Sequence, residues 1–254
     1  MTPELAPDRV VWKLTGADRA RFLQGLVSND VLPLEKGPGI VWAALLTPQG
    51  KYLADFFIVR PLDADHLLID ISAALAPSTL QRLTMYRLRA DVQITPADLA
   101  VTRGLGPCPE GGFPDPRHEA LGWRAYGLPG GPPTVDWDAI RVQHCIPESG
   151  IELRPDDTYI LEAGFERLHG VDFRKGCYVG QEVTARMKHK TELRKGFVTL
   201  SIEGDAPVGT PILRDGKEIG TLFTRSGDQA IGYLRFDRSG PGMSAGAALL
   251  RPLP

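Results

Sequence analysis

Apolar runs of strand length and stretches with helical spacing alternate along the first part of the chain. Turn-forming residues separate the apolar runs, as at Thr47-Pro48-Gln49-Gly50, so the runs predict an antiparallel meander. The predicted strands are 10–14, 40–46, 52–59, 66–71 and 91–95. Helices are predicted through Phe22 and Leu23 up to Gly25, and over 75–88, where apolar residues recur with few helix breakers.

This order of elements lacks the strand-helix-strand rhythm of a doubly wound sheet and favours an α+β fold. Loops are predicted at 104–116 and 127–133, which are crowded with Gly and Pro, and a short helix follows at 136–143. After residue 194 the pattern changes to short strands at turn-marked intervals, which is typical of a small β-barrel. We therefore predict an α+β region of two sub-domains at 1–194 and a barrel domain at 195–254.

The composition, 43% hydrophobic and 24% charged over 254 residues, is typical of a soluble globular protein. No apolar run approaches the roughly 20 residues that a membrane-spanning helix needs. The net charge of −2 argues against a nucleic-acid-binding protein. The first residues have neither the basic and apolar regions of a signal peptide nor an Arg-rich transit sequence, so we expect a cytoplasmic protein.

Positive charge is concentrated between Arg174 and Lys195. Seven Lys or Arg and two Glu give this segment a charge of +5, which leaves −7 for the rest of the chain. The segment is either a site for an anionic ligand or partner, or simply a solvated helix face.

Cys177 lies in the most informative part of this segment. The other cysteines, Cys108 and Cys145, are far away in sequence, so a disulfide framework is not expected. Arg174 and Lys175 precede Cys177, and a helix is predicted from residue 180, an arrangement that favours the reactive thiolate. The alternative is a buried cysteine that acts as a small hydrophobic residue.

The residues that follow Cys177 predict a helix over 180–190. An apolar stripe is expected at Val179, Val183 and Met187, and a charged row at Glu182, Arg186 and Lys190. The flanking Gly176 and Gly180 allow a close approach of the backbone to a ligand, and Tyr178 offers a ring face or a hydroxyl.

The residues alone leave the role of the Cys177 thiolate open. Nucleophilic catalysis needs a base, and nothing in the sequence fixes His144, His169 or His189 beside the thiol. A [2Fe-2S] cluster generally needs four ligands, so a cluster on Cys177 would be shared with a partner or a small thiol.

The stretch Lys175-Gly176-Cys177-Tyr178-Val179-Gly180-Gln181-Glu182 matches the signature of the YgfZ family without a mismatch. These are folate-binding, aminomethyltransferase-like proteins that assist iron-sulfur cluster assembly, with a mitochondrial branch. The chain resembles the family elsewhere too: at Phe22-Leu23-Gln24-Gly25, Ser28-Asn29-Asp30, Leu46-Thr47-Pro48-Gln49-Gly50-Lys51, Arg141 ahead of Ile146-Pro147, and Ala230-Ile231-Gly232-Tyr233-Leu234-Arg235.

The resemblance implies a multi-lobed, aminomethyltransferase-like α+β body that binds tetrahydrofolate, and a small C-terminal β-barrel. Asn29 and Asp30 would bind the pterin edge, and Arg141 or Lys175 a folate carboxylate, although Ser28-Asn29-Asp30 is also a good turn by itself. The full set of expected folate contacts is Asn29, Asp30, Arg141, Lys175, Tyr178 and Gln181. The residues expected to support the motif are Gly176, Gly180, Glu182 and Arg186.

The resemblance also implies that Cys177 serves as a ligand of a transient [2Fe-2S] cluster or as a nucleophile. The expected partners are an A-type iron-sulfur carrier protein and cluster-dependent client enzymes. The alternative is a tetrahydrofolate-dependent one-carbon transferase with an unidentified acceptor. Residues 72–81 contain no acid where the related aminomethyltransferases carry an aspartate, and Gln143 stands where they tend to have a glutamate, which weighs against that alternative.

Overall fold

The computed structural model describes residues 3–190 and 192–253 of the chain. This part of the chain forms two open sheets, a closed barrel and helices, and the ladders between its strands are antiparallel. The strands before residue 190 are β1 (Glu4–Leu5), β2 (Arg9–Thr15), β3 (Gly39–Leu46), β4 (Tyr52–Arg60), β5 (Leu67–Ser72), β6 (Gln93–Ala97), β7 (Val101–Gly104), β8 (Phe113–Pro114) and β9 (Trp123–Tyr126). The helices are α1 (Arg19–Gln24), α2 (Ala76–Arg87), α3 (Trp137–Gln143) and α4 (Gln181–Lys190).

The larger open sheet has the strand order β3-β4-β5-β2-β6 and contains the predicted meander. All of β5 and all of β4 except Arg60 are buried, so this sheet lies at the centre of the main hydrophobic core. The predicted strands and helices in this region are confirmed within two or three residues at each end.

The smaller open sheet, with the order β1-β7-β9-β8, was not predicted. Its strands are two to four residues long, too short for a hydrophobic period to show. Part of it also lies in the Gly- and Pro-rich stretch that was interpreted as a loop. Gly104 is required here, because a Cβ at this position would lie 2.6 Å from the Trp123 ring.

The remaining strands close into a barrel with the order β10-β13-β12-β11-β14-β15, in which β15 pairs back onto β10. They are β10 (Lys195–Glu203), β11 (Pro211–Arg214), β12 (Lys217–Ser226), β13 (Gln229–Arg235), β14 (Met243–Ala245) and β15 (Ala248–Pro252). The sequence predicted the first four, and β14 and β15 complete the barrel. Leu200, Ile212 and Leu222 are fully buried in its separate core.

None of the helices in the described ranges combines the length and the apolar character that crossing a bilayer requires.

Candidate functional site

The loop that carries Cys177 runs into α4 and is fastened at its base by α1. The Lys175 Nζ donates hydrogen bonds to the carbonyl oxygens of Gln24, at 2.8 Å, and of Val27. The Val179 amide donates to the carbonyl of Gly25 at 3.3 Å. The carbonyls at the C-terminal end of a helix attract a cation, so Lys175 anchors the loop there.

Lys175 is therefore bound inside the body and does not flank the thiol as predicted. Its side chain is buried, and burial lowers the pKa of the amine to about 8 against the weaker opposing effect of Asp30 and Asp172. Its Nζ lies 4.8 Å from the centre of the Tyr178 ring. A neutral Lys175 amine keeps two N–H donors, enough to bond both the Gln24 and the Val27 carbonyl.

The turn between β3 and β4 supports the other side of the loop. A Cβ on Gly180 would lie 2.5 Å from the Thr47 carbonyl oxygen, and a Cβ on Gly50 would lie 2.8 Å from the Val183 Cβ. Both glycines have positive φ angles, of 84° and 76°. The two backbones can approach this closely only because neither residue carries a side chain.

Ser28 and Asn29 connect residues 169 and 170, ahead of the Cys177 loop, to β3, and Asp30 bonds within the turn that they begin. The Ser28 hydroxyl donates to the Gly170 carbonyl, and the Asn29 amide donates to the carbonyls of Trp42 and His169. The Asn29 Oδ1 accepts from the Asp30 amide, and the Asp30 Oδ1 accepts from the Leu32 amide. The polar atoms expected to bind a pterin therefore hold a turn.

Cys177 itself is exposed, and its thiol receives no hydrogen bond from any described residue. The alternative of a buried cysteine is therefore excluded, as the sequence analysis favoured. Arg174 is 93% exposed and lies 3.6 Å from the Asp172 carboxylate. Among the described residues, no histidine bonds to the thiol, and no group of three His, Cys, Asp or Glu could hold a metal.

Helix α4 begins at Gln181, whose Oε1 accepts from the Tyr178 amide at 3.3 Å. Glu182 and Arg186 form an exposed pair with 2.6 Å between their charged atoms, which confirms the start of the charged row; the side chain of Lys190 lies outside the described residues. Val179 and Met187 pack against the main core as predicted. Gly176 has no heavy atom within 4 Å of an added Cβ, so only Gly180 is sterically required.

Arg141 lies elsewhere, where the body meets the barrel. Its guanidinium donates to the carboxylates of Asp138 and Glu152, to the Ile146 carbonyl and to the Thr224 hydroxyl of β12. Arg141 is 3% exposed. Burial lowers the pKa of its guanidinium, but the neighbouring carboxylates, led by Glu152, raise the pKa by more. Arg141 therefore joins two parts of the fold.

Cys145 ends α3 at the same junction with a φ of 50°. The Ile146 amide bonds to the Arg141 carbonyl and the Cys145 amide to the Val142 carbonyl, the pattern of a Schellman motif, in which the left-handed residue is usually glycine. Burial raises the pKa of the Cys145 thiol to about 11. The sequence signals around Arg141 and Cys145 are thus structural.

The centre of the body holds a cluster of buried arginines and carboxylates that was not predicted. Asp70, fully buried on β5, accepts from Arg9 at 2.6 Å, from Arg124 at 3.1 Å and from the Tyr126 hydroxyl. Asp115 accepts from Arg124 as well and from Arg117, and the three guanidiniums surround the Phe57 ring. One sequence signal could have indicated this cluster: an acid inside an apolar strand, as in Leu67-Leu68-Ile69-Asp70-Ile71.

This centre does not fit a folate. The cavity beside the arginine cluster measures ≈ 10 Å³, room for about one water, whereas small-molecule pockets measure about 300–1,000 Å³. Arg103, which also lines it, has a buried Nε without a partner among the described residues, and burial together with Arg124 lowers its pKa. Of the expected folate contacts, only Tyr178 and Gln181 border an open groove.

The fold is that of the glycine cleavage system aminomethyltransferase T from Bartonella henselae. The two superpose with a TM-score of 0.78 over 99% of this chain and 84% of that chain, at 15% sequence identity. This likeness confirms the aminomethyltransferase-like fold and, at such an identity, shows nothing further. Residues 194–254 match the family model described as the CAF17 C-terminal beta-barrel domain.

Sequence relatives decide the family. The chain is 32% identical to the iron-sulfur cluster assembly factor IBA57 homolog of Mycosarcoma maydis, over 97% of this chain and 67% of that protein. It is 30% identical to mouse IBA57, over 96% of this chain and 75% of that protein. The chain belongs to the IBA57 family.

Membership of the IBA57 family refines one prediction and overturns another. The family is the mitochondrial branch of the resemblance drawn from the Cys177 signature, not YgfZ itself. Both relatives named above are described as mitochondrial, so the prediction of a cytoplasmic location is wrong. That prediction was drawn from the composition of the first residues, which could not support it.

Proposed function

We propose that this chain assists iron-sulfur cluster assembly and that Cys177 supplies one thiolate ligand to a [2Fe-2S] cluster shared with a partner protein. The observation that carries the proposal is an exposed thiol that has no partner among the described residues and lies on a loop fastened from two sides. The relatives of the chain are named iron-sulfur cluster assembly factors. The cluster is cargo, passed between proteins.

The chemistry of the described residues favours a ligand over a nucleophile. Nucleophilic catalysis by cysteine needs a base within hydrogen-bonding distance, and the described residues provide none at Cys177. A cluster ligand needs only an accessible sulfur whose position is fixed. Lys175 and Gly180 fix the loop, while the sulfur stays in solvent.

A shared cluster follows from counting ligands. A [2Fe-2S] cluster generally takes four, commonly thiolates. Cys145 is half-buried at the barrel junction with a raised thiol pKa, which makes it a poor ligand, and no three-residue metal group exists among residues 3–190 and 192–253. The remaining ligands would therefore come from an A-type carrier protein or a small thiol, and client enzymes would receive the cluster.

The test compares two exposed cysteines in a host that lacks this protein. Cys177→Ser should abolish the recovery of cluster-dependent enzyme activities and the visible absorption of a cluster-bridged complex with the carrier. Cys108→Ser, the matched control, should leave both unchanged. Both variants should unfold at the wild-type temperature, since neither thiol contributes to the core. Full recovery with Cys177→Ser would contradict the proposal.

Folate-dependent one-carbon transfer is the alternative, and the fold is compatible with it. The closed centre of the body argues against it, so we expect tetrahydrofolate to cause no saturable quenching of the tryptophans. Trp42 and Trp137 lie beside the arginine cluster and would report an occupant. Saturable quenching that Asp115→Asn reduces would revive the folate-binding hypothesis.

A further inference from the structure

Two segments of the chain are rich in basic residues and poor in acids. Residues 73–90 carry Arg82, Arg87 and Arg89 and no acid, for a charge of +3, and residues 174–195 carry +5. The chain as a whole has a charge of −2, so the remaining residues carry −10. Such a separation of charge creates a field that attracts anionic surfaces to one part of the molecule.

The structure brings these two segments together around one open groove. Tyr86 of α2 lines it from one side, and Tyr178, Gln181 and Ala185 line it from the other, above Pro48. The groove has a volume of ≈ 620 Å³. Tyr178 follows Cys177 directly in the chain, so the groove adjoins the exposed thiol.

Large apolar side chains are exposed at the end of α2, the helix that lines this groove through Tyr86. Met85 is 69% exposed, Leu88 is 87% exposed and Tyr86 is 37% exposed. Leu88 also has a φ of 45°, a left-handed conformation that a leucine adopts only at a cost and that glycine adopts freely. Neither the exposure nor the conformation of Leu88 serves the stability of the fold.

A cation of α2 lies on the same side of the helix as two of the exposed apolar residues. Arg82, Met85 and Tyr86 are spaced i, i+3 and i+4, which places them along one face, and Arg89 follows the end of the helix at Arg87. No described residue forms an ion pair or a hydrogen bond with the side chain of Arg82 or Arg89. By contrast, Arg186 and Lys188 of α4 are paired with Glu182 and Glu166.

We infer that this surface, formed by Arg82, Met85 and Tyr86 of α2, by Leu88 and Arg89 directly after the helix, and by the groove beside Cys177, docks an acidic protein. Exposed apolar side chains close in the chain to exposed basic ones match a partner that offers acidic groups and an apolar contact. The inference rests on the proposed function, because the docked protein would bring the other cluster ligands to Cys177. An anionic bilayer would pair with the basic side chains, but it would not fill a concave groove.

Binding of the A-type carrier protein of the same host to the full chain tests the inference, by calorimetry at low and at physiological ionic strength. The charge-reversal variant Arg82→Glu/Arg89→Glu should weaken binding by at least about tenfold and reduce its salt dependence. Arg251→Glu, an equivalent change on an exposed arginine of the barrel, should shift the affinity by less than about twofold.

Leu88→Gly separates docking from folding. Glycine relieves the positive φ, so the unfolding temperature should rise, while the loss of the exposed side chain should weaken carrier binding by at least about fivefold. A residue with a purely structural role cannot give this pair of results. Unchanged affinity in both the charge-reversal and the Leu88→Gly variants would overturn the docking surface.

The outcomes also distinguish this inference from the proposed function. If Cys177→Ser abolishes the shared cluster while Arg82→Glu/Arg89→Glu binds the carrier normally, the proposed function stands and the docking surface is wrong. If the wild-type chain instead binds phosphatidylserine vesicles and the charge reversal abolishes only that binding, a membrane is the occupant and the inference fails. Absence of any carrier binding by the wild type would overturn both.

Discussion

The Cys177 loop and the central arginine cluster differ in how completely their polar groups are bonded. In the cluster, Asp70 accepts from two arginines and a tyrosine, and no room is left beyond about one water. In the loop, Lys175 is bonded, but the Cys177 sulfur next to it in the chain has no partner among the described residues. Chemistry with an external molecule requires an accessible group. Of these two regions the loop exposes one, the Cys177 sulfur, whereas the unpartnered Arg103 Nε beside the cluster is buried.

The comparison teaches that polar residues expected to bind a ligand need not serve one. Arg141 and Asn29 carry the chemical groups that would bind folate, yet both are occupied by the protein itself. Buried charges must be paired, so they are bonded first to each other. An exposed thiol, by contrast, can stay without a partner at no cost in folding free energy.

The largest effect is expected in the cluster. Asp70→Ala leaves Arg9 and Arg124 buried without their shared carboxylate, and breaking such a pair costs about 3–5 kcal/mol. Urea unfolding measures the loss. Asp65→Ala removes an exposed carboxylate that pairs with Arg19 and should cost less than about 1 kcal/mol. Equal losses for the two variants would show that the cluster is not the structural centre of the body.

The next effect is expected at the base of the loop. Gly180→Ala forces an L-residue into a left-handed conformation and a contact with the Thr47 carbonyl, which should cost about 2 kcal/mol or more. Gly176→Ala, next to the same cysteine, should change stability by less than about 0.5 kcal/mol. The ratio of the two losses, measured by thermal unfolding, shows how firmly the β3–β4 turn holds the loop.

Lys175 should make stability depend on pH. Its folded pKa of about 8 lies below the ordinary 10.5, so between these values the unfolded chain binds more protons and stability rises with pH. From pH 7.5 to 9.5 the unfolding free energy should rise by about 2 kcal/mol relative to Lys175→Met. A constant difference between the two proteins would mean that the buried amine keeps its ordinary pKa.

The smallest effect is expected at Cys145. Cys145→Gly and Cys145→Ala both remove the thiol, but only glycine relieves the φ of 50°, so the glycine variant should be more stable by about 1 kcal/mol. Chemical denaturation of the two variants isolates the backbone contribution. If alanine is equally stable, the left-handed conformation carries no strain.

The sequence predicted the elements whose residues are close together in the chain. The meander β3 to β5 and helix α4 follow from local periodicity, and the barrel follows from its spaced glycines. Strands of two to four residues, such as β8 and β9, carry no such period and were missed.

The candidate site was predicted in part for the same reason. The Cys177 motif was found because it is contiguous. The bond from Lys175 to Gln24 joins residues 151 apart, and the pair of Arg124 with Asp70 spans 54 residues, so no local pattern could reveal that these groups are already satisfied.

The contact of Gly50 with Val183 and Gly180 has a consequence for the order of folding. The cysteine loop takes its final shape against a turn about 130 residues earlier in the chain, and contacts between such distant segments form slowly. The hairpin of β3 and β4 is synthesised first and provides the surface against which the loop packs. The thiol thus reaches its final position only after the body has folded, so the proposed cluster ligand would become ordered late in folding.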